Sequence, residues 1–226
     1  MTFSRRRFLH LAAGAAAVAV GPRMAWAQTY PTRPVRVIVP FAAGGPTDVF
    51  ARLATQKLSE RLGKQFYVEN IPGAGGNIGT GQAAKAAPDG YTMLMTVNSF
   101  VIGPSFFDKV PYDPYRDFEP VTLAVDSTNV LMVNSSVPAT TVRELITLIR
   151  ANPGKYNFAS AGGGTPSYLA GESLRLSLGL DIVQVPYGGG GPAIAAVVAG
   201  HAPISIVGGS LCAGRHAEAD SDFAQS

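Results

Sequence analysis

Four short segments carry the residue types needed to bind a ligand through the backbone. Gly44 to Thr47, Gly73 to Asn77, Gly162 to Ser167 and Gly188 to Pro192 are glycine-rich; each follows a β-prone apolar run and precedes a helical pattern. Helix N-termini present N–H groups with no intrahelical partner, together with the positive end of the helix dipole. Each such end favours a carboxylate or phosphate by about 0.3–2 kcal/mol. Glycine lets a ligand approach the main chain, and Thr47, Asn77, Thr165 and Ser167 can add side-chain hydrogen bonds. The plainer reading is that glycine only relieves tight strand-to-helix turns. Its recurrence beside hydroxyl and amide groups points instead to an anion site.

Rival chemistries fit less well. Gly63-Lys64 and Gly154-Lys155 each lack the earlier glycine of a phosphate-binding P-loop, and Ile78 stands where a dinucleotide fingerprint starting at Gly73 needs its third glycine. There is no Gly-x-Ser-x-Gly elbow, and His201 and His216 lie late in the chain, so a hydrolase is a weak alternative. Asp48 reads as a capping carboxylate that holds its loop rather than as a general base. Cys212 is the only cysteine, which excludes an internal disulfide and a cysteine-based metal cluster. No catalytic residue, metal or cofactor is expected.

The elements that must position these loops alternate. Val35 to Phe41 reads as a strand, followed by a helix with apolar residues at Phe50, Leu53, Ala54, Leu58 and Leu62, started by Gly45-Pro46 and stopped by Gly63. Gln65 to Glu69 is a second strand, a short helix runs to Ala86, and Pro88-Asp89-Gly90 opens a third strand over Tyr91 to Val97. After the Pro-rich connection Val110 to Pro120, a long β-prone stretch covers Val121 to Val133. Thr141-Val142-Arg143-Glu144 is a capping box for a helix stopped at Asn152-Pro153-Gly154. Tyr156 to Ala161, a helix ending near Gly179, Asp181 to Tyr187, an alanine-rich helix to Gly200, and Pro203 to Val207 follow. Such alternation implies an α/β fold with parallel sheets and right-handed crossovers. The expected division is a first lobe over residues 28–124, a second over 125–207 and an irregular tail over 208–226.

The start of the chain is a targeting pattern. Ser4-Arg5-Arg6-Arg7-Phe8-Leu9 is basic with paired arginines, Leu9 to Val20 is small and apolar, and Ala25-Trp26-Ala27 is a cleavage-site pattern. The apolar stretch is well short of the ~20 residues a spanning helix needs. An export signal over residues 1–27, cleaved after Ala27 and of twin-arginine or general secretory type, is therefore expected. Its removal takes four of the 18 Lys and Arg residues and none of the 15 Asp and Glu residues, turning a net charge of +3 into −1. A basic surface for nucleic acid has no support once the signal is gone. Trp26, the only tryptophan, leaves with it.

Five stretches resemble one family. Pro31 to Asp48 (PTRPVRVIVPFAAGGPTD), Val68 to Gly79 (VENIPGAGGNIG), Ala87 to Leu94 (APDGYTML), Tyr112 to Leu123 and Asn152 to Gly200 are similar to the Bug-type periplasmic substrate-binding proteins of tripartite tricarboxylate transporters. The resemblance implies a two-lobed periplasmic binding protein fold, type II-like, with parallel-rich sheets flanked by helices. It also implies a monomer that clamps a small carboxylate in its cleft and delivers it to a permease of one large and one small membrane subunit. The family pattern puts the carboxylate against Phe41 to Asp48, opposite Ser160 to Tyr168 and Tyr187 to Gly191. Carried over residue by residue, it assigns ligand binding to Phe41, Gly44, Gly45, Thr47, Asp48, Asn77, Ser160, Gly163, Gly164, Thr165, Tyr168, Tyr187 and Gly189. Family members often carry histidine where Tyr168 stands, so the identity of the carboxylate is left open. Tricarboxylates, dicarboxylates, acidic amino acids and aromatic acids all fit the loops. The family chain continues back into the first lobe and tends to carry an acid where this sequence has Gly208-Gly209. An incomplete first lobe, with impaired stability or closure, is the expectation that follows, and a non-functional or interaction-only remnant is the alternative function.

Overall fold

The computed structural model describes residues 30–208. The signal expected over residues 1–27 with Trp26, the segment beyond Gly208, Cys212 and His216 lie outside the described residues. Contacts divide the chain after Thr32, and the description that follows is of the chain from Arg33 onward.

Two sheets are built from the alternating runs. β1 (Val35–Val39), β2 (Phe66–Asn70) and β3 (Thr92–Leu94) form the first, in the order β2-β1-β3, all parallel. α1 (Pro46–Leu62) connects β1 to β2, while a 3-10 turn (Ala74–Gly76) and α2 (Asn77–Ala84) lie between β2 and β3. After β3 comes α3 (Ser99–Phe106). The second sheet has the order β4-β7-β5-β6, from β4 (Asn129–Val133), β5 (Tyr156–Ser160), β6 (Ile182–Pro186) and β7 (Ile204–Gly208). Its helices are α4 (Val142–Ala151), α5 (Pro166–Leu178) and α6 (Gly190–Val198).

The residues explain these elements. In β1, Val35, Val37, Ile38 and Val39 are all buried, as expected of a central parallel strand covered on both faces. α1 starts at Gly45 with Pro46 in its first turn and ends on Gly63 in the left-handed conformation (φ 65°), the asymmetry that proline and glycine impose. α4 carries both halves of the capping box, with Thr141 accepting from the Glu144 amide and Glu144 from the Thr141 amide. The larger core lies under the second sheet, where Leu145, Ile149, Phe158, Leu180, Ile182 and Ile204 pack together. Its opposite face is small: Ala159, Ala193, Ala196, Val197 and Ala202 let α6 lie close to the strands.

The structure corrects the sequence reading in four places. The third strand is Thr92–Leu94, shorter than Tyr91 to Val97: the Met95 amide still donates to the Ile38 carbonyl, and Met95 to Asn98 then line a cavity. Ser99–Phe106, for which the sequence reading has no element, is a helix. The β-prone run 121–133 forms a strand only from Asn129. Residues 121–128 find no partner strand among the described residues, and Val121 and Leu123 stand 77% and 83% exposed. Finally, β4 runs antiparallel to β7, so the second sheet is mixed, and that pairing takes Gly208, expected to open the tail, into the last position of β7.

Gly171 of α5 lies against the Phe158 ring so closely that a Cβ there would overlap it. Gly171→Ala is expected to cost about 1–3 kcal/mol by overpacking. Thr141→Ala, which removes one cap, should cost about 1 kcal/mol. Urea unfolding of the two variants measures this, and an unmoved midpoint for Gly171→Ala would contradict the packing described.

Candidate functional site

In parallel sheets, ligands gather outside the carboxyl ends of the strands where the strand order reverses. The first sheet reverses between β1 and β3: the chain steps from β1 out to β2 and then crosses back to β3 on the far side of β1. The second reverses between β5 and β7. Residues that follow all four strands line one cavity of about 300 Å³: Phe41 and Gly45 to Thr47 after β1, Met95 to Asn98 after β3, Ala161 and Thr165 to Ser167 after β5, and Val207 and Gly208 at the end of β7. Both sheets thus present their switch points to a common space.

Four helices begin there. Gly45 and Pro46 start α1, Asn98 directly precedes α3, Thr165 and Pro166 start α5, and Gly190 starts α6. Among the described residues, the only formally charged side chain in the lining is Asp126, with Ser127 and Asn129 beside it. The groups among the described lining residues that favour an anion are therefore backbone N–H groups and helix dipoles, not Lys, Arg or His side chains.

A second space of about 290 Å³ takes the Gly73 to Gly76 loop and the first residues of the loops that follow β5 and β6. It is lined by Gly73 to Gly76, Phe107, Ala161 to Gly163, and Pro186 to Gly188. The four loops converge between the two sheets, but they divide between two cavities that share Ala161. Of the residues singled out in the sequence, Phe41, Gly45, Thr47 and Thr165 line the first cavity, and Gly163 and Tyr187 the second. Gly44, Asp48, Asn77, Ser160, Gly164, Tyr168 and Gly189 line neither.

Several of those polar side chains are committed to holding the loops. Asp48 is 3% exposed. Its Oδ2 accepts from the Gly44 amide (2.9 Å) and Arg52 Nε (3.0 Å), and its Oδ1 from Asn70 Nδ2 (2.9 Å). Asn70 also donates to the Phe41 carbonyl at 3.1 Å, so one carboxylate and one amide fix both ends of the 41–44 turn. Burial pushes the Asp48 carboxyl up, but the Arg52, Gly44 and Asn70 hydrogen bonds and the Arg52 charge together outweigh it and hold the group below its ordinary range. In the second sheet, Thr165 Oγ1 donates to the Gly162 carbonyl (2.6 Å), Ser167 Oγ accepts from the Ala161 amide (2.9 Å), and Ser160 Oγ accepts from Gln184 (2.7 Å) and the Gly162 amide (3.2 Å). Asn77 Oδ1 is engaged by the Tyr112 hydroxyl at 3.1 Å, whose own pKa burial raises. These hydroxyls, amides and carboxylates set the backbone, and the backbone faces the cavity.

Glycine is what lets the sheets approach. The Ala42 amide donates to the Gly188 carbonyl at 2.9 Å across the cleft. A Cβ on Gly45 would stand 3.1 Å from the Gly191 nitrogen, and one on Gly75 would collide with the Gly163 carbonyl oxygen. The sequence reading did not single out Met95 to Asn98, Phe50, or Leu123 to Ser127 as cavity residues. Asn98-Ser99 ahead of an apolar run was a readable helix start. Leu123 to Ser127 carried no such signal, since only the tertiary path brings that segment to the cavity rim. Among the described residues, no cluster of His, Cys, Asp and Glu could hold a metal ion, and no helix is long and apolar enough to cross a membrane.

The chain is similar to known proteins over most of its length. The model of the tripartite tricarboxylate transporter family receptor, TctC, matches residues 50–216. Protein BugT of Bordetella pertussis is 39% identical over 176 residues, 77% of this chain and 54% of that protein. The periplasmic binding protein BugD superposes with a TM-score of 0.74 at 37% identity, covering 79% of this chain and 60% of that one. An R. palustris protein with adipate gives 0.77 at 33% identity, with 79% and 60% covered. MatC from Rhodopseudomonas palustris with bound malate gives 0.72 at 34% identity, with 79% and 61% covered. The chain spans a little over half the length of the curated relatives it matches.

The folded-state pKa of Asp48 lies below the ordinary 3.8. Its contribution to stability is therefore fully present above that value and is lost as pH falls through the lower, folded-state pKa. Asp48→Asn is expected to lower Tm at pH 7, with the gap to the unsubstituted protein closing as the pH drops below about 4. A gap that stays constant down to pH 2 in thermal melts would contradict this role.

Proposed function

The chain belongs to the tripartite tricarboxylate transporter receptor family, and on that premise we propose that it captures a small carboxylate in the cavity between its two sheets. The observation that carries this reading is the convergence of four helix N-termini, from both sheets, on one space with no cationic side chain among the described residues that line it. A carboxylate is the group such a space recognises: amide donors bind its oxygens, and the dipoles favour its charge. At about 300 Å³ the cavity is at the small end of ligand pockets. That size suits a short-chain acid, and two neighbours of this fold hold adipate and malate.

Selection among acids then lies in the walls. Phe41, Phe50, Met95, Val97, Leu123 and Val125 give an apolar body to the cavity. Asp126 disfavours additional negative charge at its rim. Export through the signal over residues 1–27, action as a periplasmic receptor, and delivery to a two-subunit membrane permease complete the proposal. Binding without turnover distinguishes a receptor from a hydrolase of the same fold class.

The test is a thermal-shift panel of mono-, di- and tricarboxylates, acidic amino acids and aromatic acids on the chain lacking residues 1–27, read by differential scanning calorimetry because Trp26 is gone. A ligand at a hundred times its Kd adds about 2.7 kcal/mol, which for a chain of this size is a shift on the order of 5–10 °C. One-to-one binding without chemical change is expected. No shift with any acid would favour a remnant without a competent cleft, and conversion of the bound acid would favour an enzyme.

A further inference from the structure

We propose that Phe106 is a latch between the two sheets, docked on Gly163, Gly164 and Tyr168, and that it sets how fast the cleft releases its ligand. Phe106 is the last residue of α3, and Phe107 after it is extended (φ −110°, ψ 141°), so the helix stops there. Its ring meets the Tyr168 ring edge-on, with centroids 5.2 Å apart and planes at 74°. A Cβ on Gly163 would stand 2.8 Å from Phe106 Cε1, and one on Gly164 3.4 Å from Cδ1. A side chain at Gly163 would overlap the seated ring, whereas Gly164 (φ 74°) touches it at ordinary packing distance. The two glycines read in the sequence as sites of ligand approach thus form the seat of an aromatic ring from the opposite sheet.

The placement makes the contact mechanically relevant. α3 begins at the cavity with Asn98 and ends on the second sheet's loop with Phe106, so both of its ends face residues at the start of α5. Gly163 and Gly164 lead directly into Thr165, the N-cap of α5 and part of the cavity lining. Parting the sheets pulls the ring off its seat and frees the loop that sets Thr165. Phe106 is 40% exposed and belongs to neither main core, so its loss leaves both sheets packed. Phe106 is accordingly a positioning residue, acting through the 162–165 loop. The release-rate part of the proposal rests on the carboxylate reading; the docking itself does not.

Hydrogen–deuterium exchange of the ligand-free protein tests the docking. Phe106→Ala should raise exchange in the 73–76 and 162–165 loops roughly 3- to 10-fold, with the core strands unchanged. Phe106→Leu, which keeps the apolar contact, should fall between. Gly163→Ala should evict the ring and reproduce the Phe106→Ala pattern, yet add little in the Phe106→Ala background. Whichever acid the panel finds should leave Phe106→Ala about 3- to 10-fold faster, with little change in its association rate. Unchanged loop exchange, or additive effects of the two substitutions, would overturn the latch. The expected exchange pattern in a protein that binds no acid would sustain the docking and reject both the release-rate role and the carboxylate reading.

Discussion

A helix must leave its first N–H groups without intrahelical partners, and a protein can either cap them, wet them or aim them at something. Here four helices from two sheets bring those groups to one small space, and the surrounding architecture serves that arrangement. The strand orders place a switch point of each sheet at the cavity. Gly45 at its wall allows the close approach of Gly191. The described residues of the lining include no Lys, Arg or His, so what they offer a ligand is backbone geometry, which is fixed by the fold, more than flexible charged side chains.

Backbone recognition requires rigid loops, and the polar side chains near the cavity supply that rigidity. Asp48 and Asn70 tie the 41–44 turn, while Ser160, Thr165 and Ser167 tie the 161–165 loop. These bonds satisfy polar groups that would otherwise be costly to bury, and together they hold backbone amides and carbonyls of the two loops. Asp48 shows the division of labour. Its two oxygens are occupied by Gly44, Arg52 and Asn70, so its effect on a ligand is transmitted through the turn that it holds.

Much of this fold was legible from residues in order. Gly45-Pro46 and Gly63 bracket α1, the Thr141–Glu144 box starts α4, and period-2 or continuous apolar runs mark β1, β2, β5 and β6 within a residue or two, because these signals are local. The 121–128 stretch was not legible. Its alternating Val121, Leu123 and Val125 have strand propensity, but a strand also needs a partner, and pairing is decided by tertiary context. The antiparallel entry of β4 was hidden for the same reason. At the site, the glycine loops announced themselves, whereas their division between two cavities did not. Likewise, Gly163 and Gly164 gave no sign that an aromatic ring would occupy the space they leave.

The central claim is that backbone dipoles, and not shape alone, hold an anion. The direct measurement is calorimetric titration of the best-binding acid against its primary amide, which keeps the size and removes the charge. The account predicts at least a tenfold loss of affinity for the amide, since about 0.3–2 kcal/mol is at stake at each of several helix ends. Equal affinities for the acid and the amide would contradict it.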